Sequence, residues 1–165
     1  MKKVYLASPL FSPAERAFNE RLCSVLEHFF DVYLPQRDSI LVSDSISRNS
    51  SSAEAACRQA YEDDIAAIRT ANLLVAVFEG NEPDEGVCIE VGYAKALGLT
   101  IIGYKSDTRF ALPWGHNPMI SGCVDSWITD LRELKVWAER ESITPCPGEI
   151  EQAVLGLILK PEFFR

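Results

Sequence analysis

Six consecutive apolar residues, Leu73-Leu74-Val75-Ala76-Val77-Phe78, constrain this chain more than any other stretch. A short run with no polar position, bounded by turn signals, reads as a strand buried on both faces. Such a strand needs helices above and below it, and the rest of the sequence alternates accordingly. Strand-like segments stand at 3–7, 31–35, 100–104 and 124–127. Ser12-Pro13-Ala14-Glu15 is a capping box with proline at the first helical position, and it opens a helix to about residue 29. Ser51-Ser52-Ala53-Glu54 reads as a second box, opening a helix to about residue 71. Further helices are expected at 85–97, about 129–141 and 149–159, with long loops at 36–52 and 105–123. The order βαβαβαβαβα predicts an α/β fold: a five-stranded parallel sheet with helices on both faces and right-handed crossovers, flavodoxin-like. No repeat or linker divides the 165 residues, which read as a single domain over 1–165.

Charge and cysteine usage narrow the partners. Sixteen basic against 24 acidic residues leave a net charge of −8, which argues against nucleic acid or an anionic membrane as a partner. No apolar run reaches the length of a membrane span, and the strand at 3–7 follows Met1-Lys2 too closely for a signal-peptide core. Five scattered cysteines without a C-x-x-C pair point to reduced thiols in a cytoplasmic protein. Two histidines are too few for a histidine-based metal site.

The loops exclude the usual cofactors of such a sheet. Ala7-Ser8-Pro9-Leu10-Phe11-Ser12 carries neither G-x-G-x-x-G nor a P-loop, so a nucleotide cofactor is not indicated. No G-x-S-x-G elbow is present either. Carboxylates are the stronger candidates. Glu90 stands among Val87, Cys88, Ile89, Val91, Tyr93 and Ala94, just beyond the carboxyl end of the buried strand, where open α/β sheets bind ligands. A carboxylate in apolar surroundings is costly without a partner or a task. Asp84 or Glu85 suits the helix start, and Glu62-Asp63-Asp64 precedes the same strand. Two carboxyls converging on one pocket can divide the roles of nucleophile and acid, although Glu62-Asp63-Asp64 taken alone reads first as a solvated helix face.

Together these residues resemble the nucleoside 2-deoxyribosyltransferase family. The resemblance rests on Tyr5-Leu6-Ala7-Ser8-Pro9-Leu10-Phe11-Ser12, on Asp64, on Asp84-Glu85-Gly86-x-x-x-Glu90-x-Gly92-Tyr93-Ala94 and on Asn117-Pro118-Met119. It covers most of positions 3–127. It implies transfer of 2-deoxyribose between a 2′-deoxynucleoside and a free nucleobase, with retention and without a cofactor, in nucleotide salvage. Glu90 then corresponds to the nucleophile, Tyr5 to the tyrosine that orients it, and Asp64 to the acid and base for the nucleobase. Asp84 corresponds to an aspartate contacting sugar or base, with Gly86 beside it. Asn117 matches an asparagine supplied by a neighbouring subunit, and Phe11 and Met119 would wall the base. The resemblance thus implies a homo-oligomer, dimer or hexamer, with shared active sites.

Taken singly, these residues also have ordinary uses. Tyr5 fits strand packing, Phe11 and Met119 fit a core, and Asn117 before Pro118 fits a turn. The family often carries Asn-Leu-Met where this chain has Asn117-Pro118-Met119. Two other functions share the framework: hydrolysis of (deoxy)nucleoside 5′-monophosphates by the same Glu90, and a non-catalytic nucleotide sensor.

Overall fold

In the computed structural model, residues 1–42 and 52–145 are described. Five strands, β1 (Lys3–Ala7), β2 (Asp31–Tyr33), β3 (Leu73–Val77), β4 (Thr100–Tyr104) and β5 (Ser126–Ile128), form one sheet. Every pairing is parallel, in the order β2-β1-β3-β4-β5. That order is the flavodoxin-like doubly wound arrangement, whose direction of winding reverses between β1 and β3. The expected fold class is the one observed.

Six described helices connect and cover the strands: α1 (Pro13–Leu26), α2 (Pro35–Asp38), α3 (Ala53–Thr70), α4 (Glu85–Ala96), α5 (Pro118–Cys123) and α6 (Leu131–Ser142). Alternation along the strands divides the core. Val4, Leu6, Val32, Val75 and Val77 pack with Leu22, Leu26, Leu134 and Ala138 of α1 and α6. Tyr5, Ala7, Leu74, Ala76 and Ile101 pack with Ile68, Val87, Val91 and Ile120 of α3, α4 and α5. All five residues of β3 are buried, as its uniform apolarity requires. Among the described residues, no helix is long and apolar enough to cross a membrane.

Several boundaries differ from the sequence reading, each for a local reason. Helix α1 ends at Leu26, because the amides of Phe29 and Phe30 turn back onto the Leu26 carbonyl. Strand β2 stops at Tyr33, since Pro35 begins the short turn of α2 and cannot donate to a ladder. Helix α3 is capped by Ser52, which accepts from the Ala55 amide, one residue later than the expected box. The 105–123 segment is not all loop: Asn117 caps α5 by accepting from the Met119 amide at 2.9 Å. Strand β5 begins at Ser126, after Asp125 has spent its backbone and carboxylate on Ile101. The helix expected at 149–159 lies outside the described residues. The Ser12–Glu15 capping box is present in both of its arms.

Two glycines fix elements around the sheet. Helix α4 closes on Gly98 at φ +80, with the Gly98 amide on the Lys95 carbonyl and the Leu99 amide on that of Ala94, a Schellman cap only glycine adopts without strain. Across β4 and β5, Gly103 faces Trp127, whose indole stacks on His116 with centroids 4.1 Å apart. A Cβ on Gly103 would meet that ring at 2.6 Å. Because His116 and Phe78 hold the indole from other sides, it has little room to yield. Gly103→Ala should therefore destabilise the fold by about 1–3 kcal/mol through overpacking, read as a lower urea midpoint with an unchanged m-value. An unchanged midpoint would show that the indole moves freely.

Candidate active site

The winding of the sheet leaves a crevice beyond the carboxyl ends of β1 and β3, and a cleft of about 340 Å³ lies there. Ser8 and Phe11 line it from the loop after β1, Asp64 from α3, and Asp84, Gly86 and Glu90 from the first turns of α4. Five residues singled out in the sequence, Phe11, Asp64, Asp84, Gly86 and Glu90, therefore share one cleft. Tyr5 joins them from below. Its ring is fully buried in β1, and its hydroxyl donates to Glu90 Oε1 at 2.5 Å.

Each position follows from local structure. Asp84 is the N-cap of α4, and its Oδ1 accepts from the Val87 amide at 3.0 Å. Glu90 comes one and a half turns later, on the face of α4 that looks across the cleft. Gly86 leaves room for this cap: a Cβ there would stand 3.0 Å from Asp84 Oδ1. Asp64 accepts from the Tyr33 hydroxyl at 3.3 Å. Its neighbour Asp63 instead bonds Gln59 at 2.7 Å, and Glu62 is exposed, so the acidic triplet divides into one cleft residue and two outside it.

Burial dominates the electrostatics. Desolvation pushes the Glu90 carboxyl up to about 8; the Tyr5 hydroxyl pulls it down, while Asp64 and Asp84 repel its charged form. Desolvation likewise raises Asp64 to about 6, against the pull of the Tyr33 and Ser39 hydroxyls. The Tyr5 phenol lies far above its ordinary range, through burial and the neighbouring carboxylates, and stays protonated as a donor. Between about pH 6 and 8 the pair thus holds one proton, shared as a coupled system. The proton rests mainly on Glu90, the weaker acid of the two, so the form that can act as nucleophile and acid, with Glu90 ionised and Asp64 protonated, is the minor tautomer of the singly protonated pair.

The structure does not bring Asn117 and Met119 into this cleft within one chain. Both line a separate cavity of about 530 Å³ with Phe110 and His116, and Met119 is 77% exposed. Met119 therefore does not wall the Glu90 cleft of its own chain. Gln36 and Asp38, at the start of the segment expected to be a long loop, stand in α2 and are tied up elsewhere. Gln36 bonds Asn19, Arg16 and Glu20, while Asp38 accepts from the Leu34 amide. Sequence reasoning missed Tyr33 and Arg16. The signal for Tyr33 was its place in a strand beside Tyr5, which the register confirms. Nothing in the sequence marked Arg16, which reaches the cleft while its Nη1 donates to the Leu10 carbonyl at 2.9 Å.

A family model described as nucleoside 2-deoxyribosyltransferase matches residues 4–142. A nucleoside deoxyribosyltransferase of Limosilactobacillus fermentum is 29% identical over 77 residues, 46% of this chain and 46% of that protein. The match thus spans about half the length of this curated relative. Among solved structures, a 2-deoxyribosyltransferase of Bacillus psychrosaccharolyticus has a TM-score of 0.67 at 18% identity, covering 81% of this chain and 90% of that one. The CMP N-glycosidase of Clostridium botulinum has a TM-score of 0.52 at 21% identity, covering 86% of this chain and all of that one. At these identities the structural likeness speaks for the fold.

A carboxyl raised from 4.5 to about 8 by folding also affects stability. The folded state holds this proton more tightly than the unfolded one, so stability is full below pH 4.5 and is lost as pH rises towards 8. Glu90→Gln removes that loss while keeping an acceptor for Tyr5. Its stability relative to the native chain should improve steadily from pH 5 to 8, by several kcal/mol, in chemical denaturation at fixed ionic strength. A difference independent of pH would contradict the buried setting of this carboxyl.

Proposed function

The chain belongs to the nucleoside 2-deoxyribosyltransferase family, and we propose that it exchanges the nucleobase of 2′-deoxynucleosides by a retaining double displacement on Glu90. The supporting observation is the Glu90 carboxyl, oriented by Tyr5 and facing Asp64 across a cleft at the switch point of the sheet. Glu90 attacks C1′ from the side opposite the base. The C1′–N bond breaks, its electron pair stays on the base nitrogen, and Asp64 delivers a proton to the departing base. The nitrogen of an incoming base then attacks C1′ of the deoxyribosyl ester, the C1′–O bond breaks to return Glu90 as its carboxylate, and the base's proton passes to Asp64. Two inversions give net retention. The protein supplies nucleophile and acid, so the reaction requires no cofactor. The buried flank of α4, with Val87 and Val91, limits access of water to the ester.

Among the described residues, three carboxylates, Asp64, Asp84 and Glu90, line the cleft with one guanidinium, that of Arg16. That balance favours a neutral nucleoside over a 5′-monophosphate. One observation favours hydrolysis of monophosphates as a second function: the buried Ser8 hydroxyl has no partner among the described residues and lines the same cleft as Arg16, where a phosphate would satisfy both.

The site is completed, in this proposal, by a second copy of the chain that brings Asn117 to the sugar. Ile89 on α4 and Met119 on α5 are 69% and 77% exposed, apolar side chains that a homo-oligomer would cover. The setting expected for such an enzyme is cytoplasmic nucleotide salvage.

Three measurements test these statements. Purified protein given deoxyinosine and adenine should yield deoxyadenosine, dependent on adenine and absent in Glu90→Ala; release of base from deoxynucleoside monophosphates, with no exchange, would instead identify the hydrolase. The profile of kcat/KM should be bell-shaped, with limbs near 6 and 8, since activity needs the singly protonated pair. A flat profile from pH 5 to 9 would remove the pair from the mechanism. Finally, mixing inactive Glu90→Ala with inactive Asn117→Ala chains should restore activity, because one site of each mixed pair is intact; no recovery, with a monomer by sedimentation, would reject the shared site.

A further inference from the structure

Tyr5 has a counterpart on the neighbouring strand that no role yet accounts for. Tyr5 and Tyr33 are register partners on β1 and β2, so their side chains leave the same face of the sheet. Their rings stack with centroids 5.5 Å apart and an interplanar angle of 14°. Two parallel rings on parallel strands carry their hydroxyls in one direction, toward the helices above. One hydroxyl meets Glu90 on α4, the other Asp64 on α3. The two groups assigned to nucleophile and acid are thus each held by one member of a single stacked pair. An ordinary packing tyrosine on an edge strand would send its hydroxyl to solvent.

We propose that Tyr33 is a positioning residue, whose hydroxyl donates to Asp64 Oδ1 and fixes the carboxyl that exchanges a proton with the nucleobase. This rests on the assignment of Asp64 as the acid. The contact at 3.3 Å is longer than that of Tyr5 on Glu90. Catalytic hydrogen bonds are commonly loose before substrate arrives and tighten with it. The bond has two consequences. It holds Asp64 in one rotamer, so the proton meets the base nitrogen in line. It also favours the ionised form of Asp64, opposing the burial that raises this carboxyl to about 6. The Tyr33 phenol, itself raised to about 12 by burial and by the carboxylates beside it, remains a donor throughout the working range.

Removing one hydroxyl from each ring separates the two halves of the pair. Tyr33→Phe keeps the stack and loses the donor to Asp64. It should lower kcat by about tenfold, the effect of one hydrogen bond to a charged group, with KM little changed. It should also move the acid limb of kcat/KM to higher pH while leaving the alkaline limb in place. Tyr5→Phe should do the reverse, raising the alkaline limb that Glu90 governs. Carbon-13 NMR of the Asp64 carboxyl, read in the protein without substrate, gives the same answer independently of turnover: its midpoint should rise in Tyr33→Phe. If that midpoint and the acid limb both coincide with those of the native chain, Tyr33 is only a packing residue. If the native chain shows neither exchange nor hydrolysis while the NMR midpoint still rises, the bond to Asp64 stands and the assigned reaction falls.

Discussion

The bond from Tyr5 to Glu90 is the interaction on which the site depends. A carboxyl taken out of water into an apolar helix face costs several kcal/mol unless something meets it. Here the compensation is a phenol that is itself fully buried and cannot ionise, so it can only donate. The bond joins β1 to α4, elements separated by more than 70 residues of chain, and it can form only if the sheet is wound as it is. The remaining charge in the cleft follows from it. Burial of the Glu90 carboxyl, and after it repulsion from the neighbouring carboxylates, keeps a proton in the cleft through the neutral range. Acid chemistry and nucleophilic chemistry then become available at the same pH.

The fold supplies this arrangement by ordinary means. Parallel strands point their carboxyl ends the same way, and the reversal of winding between β1 and β3 opens a space that neither crossover fills. The capped start of α4 delivers Asp84 and Glu90 to that space, while α3 delivers Asp64 to the same cleft. Helix α4 is held at its far end by the Schellman cap at Gly98 and at its start by the Asp84 cap. The loop before it is fixed as well: Glu79 accepts from the Ser106 and Asp107 amides, and the buried Lys105 ammonium donates to the Phe78 and Gly80 carbonyls. A carboxyl on an element pinned at both ends keeps its position, as the proposed nucleophile must.

Much of this was legible in the residues. The run from Leu73 to Phe78 dictated the covered parallel sheet, and the spacing from Asp84 to Glu90 placed both carboxylates near one helix start. What escaped depends on tertiary contact. Tyr33 looks like any strand tyrosine until the register sets it beside Tyr5. Pro35 turning into α2, and Asn117 capping α5, are decided by two or three residues inside segments that read as loop. Adjacent serines at 51 and 52 offered two equivalent caps, and a pattern cannot choose between them. Asn117 and Met119 carry no sequence signal for which chain they serve; within one chain they lie in a different cavity from Glu90.

The most direct test of the account is to look for the covalent state itself. Protein mixed with a 2′-deoxynucleoside, in the absence of acceptor base, is quenched in acid, digested and mapped by mass spectrometry. The account predicts one deoxyribosyl unit on the peptide that carries Glu90, discharged on adding a free base and missing from Glu90→Gln. Exchange or hydrolysis that proceeds without any adduct, and at the same rate in Glu90→Gln, would contradict it.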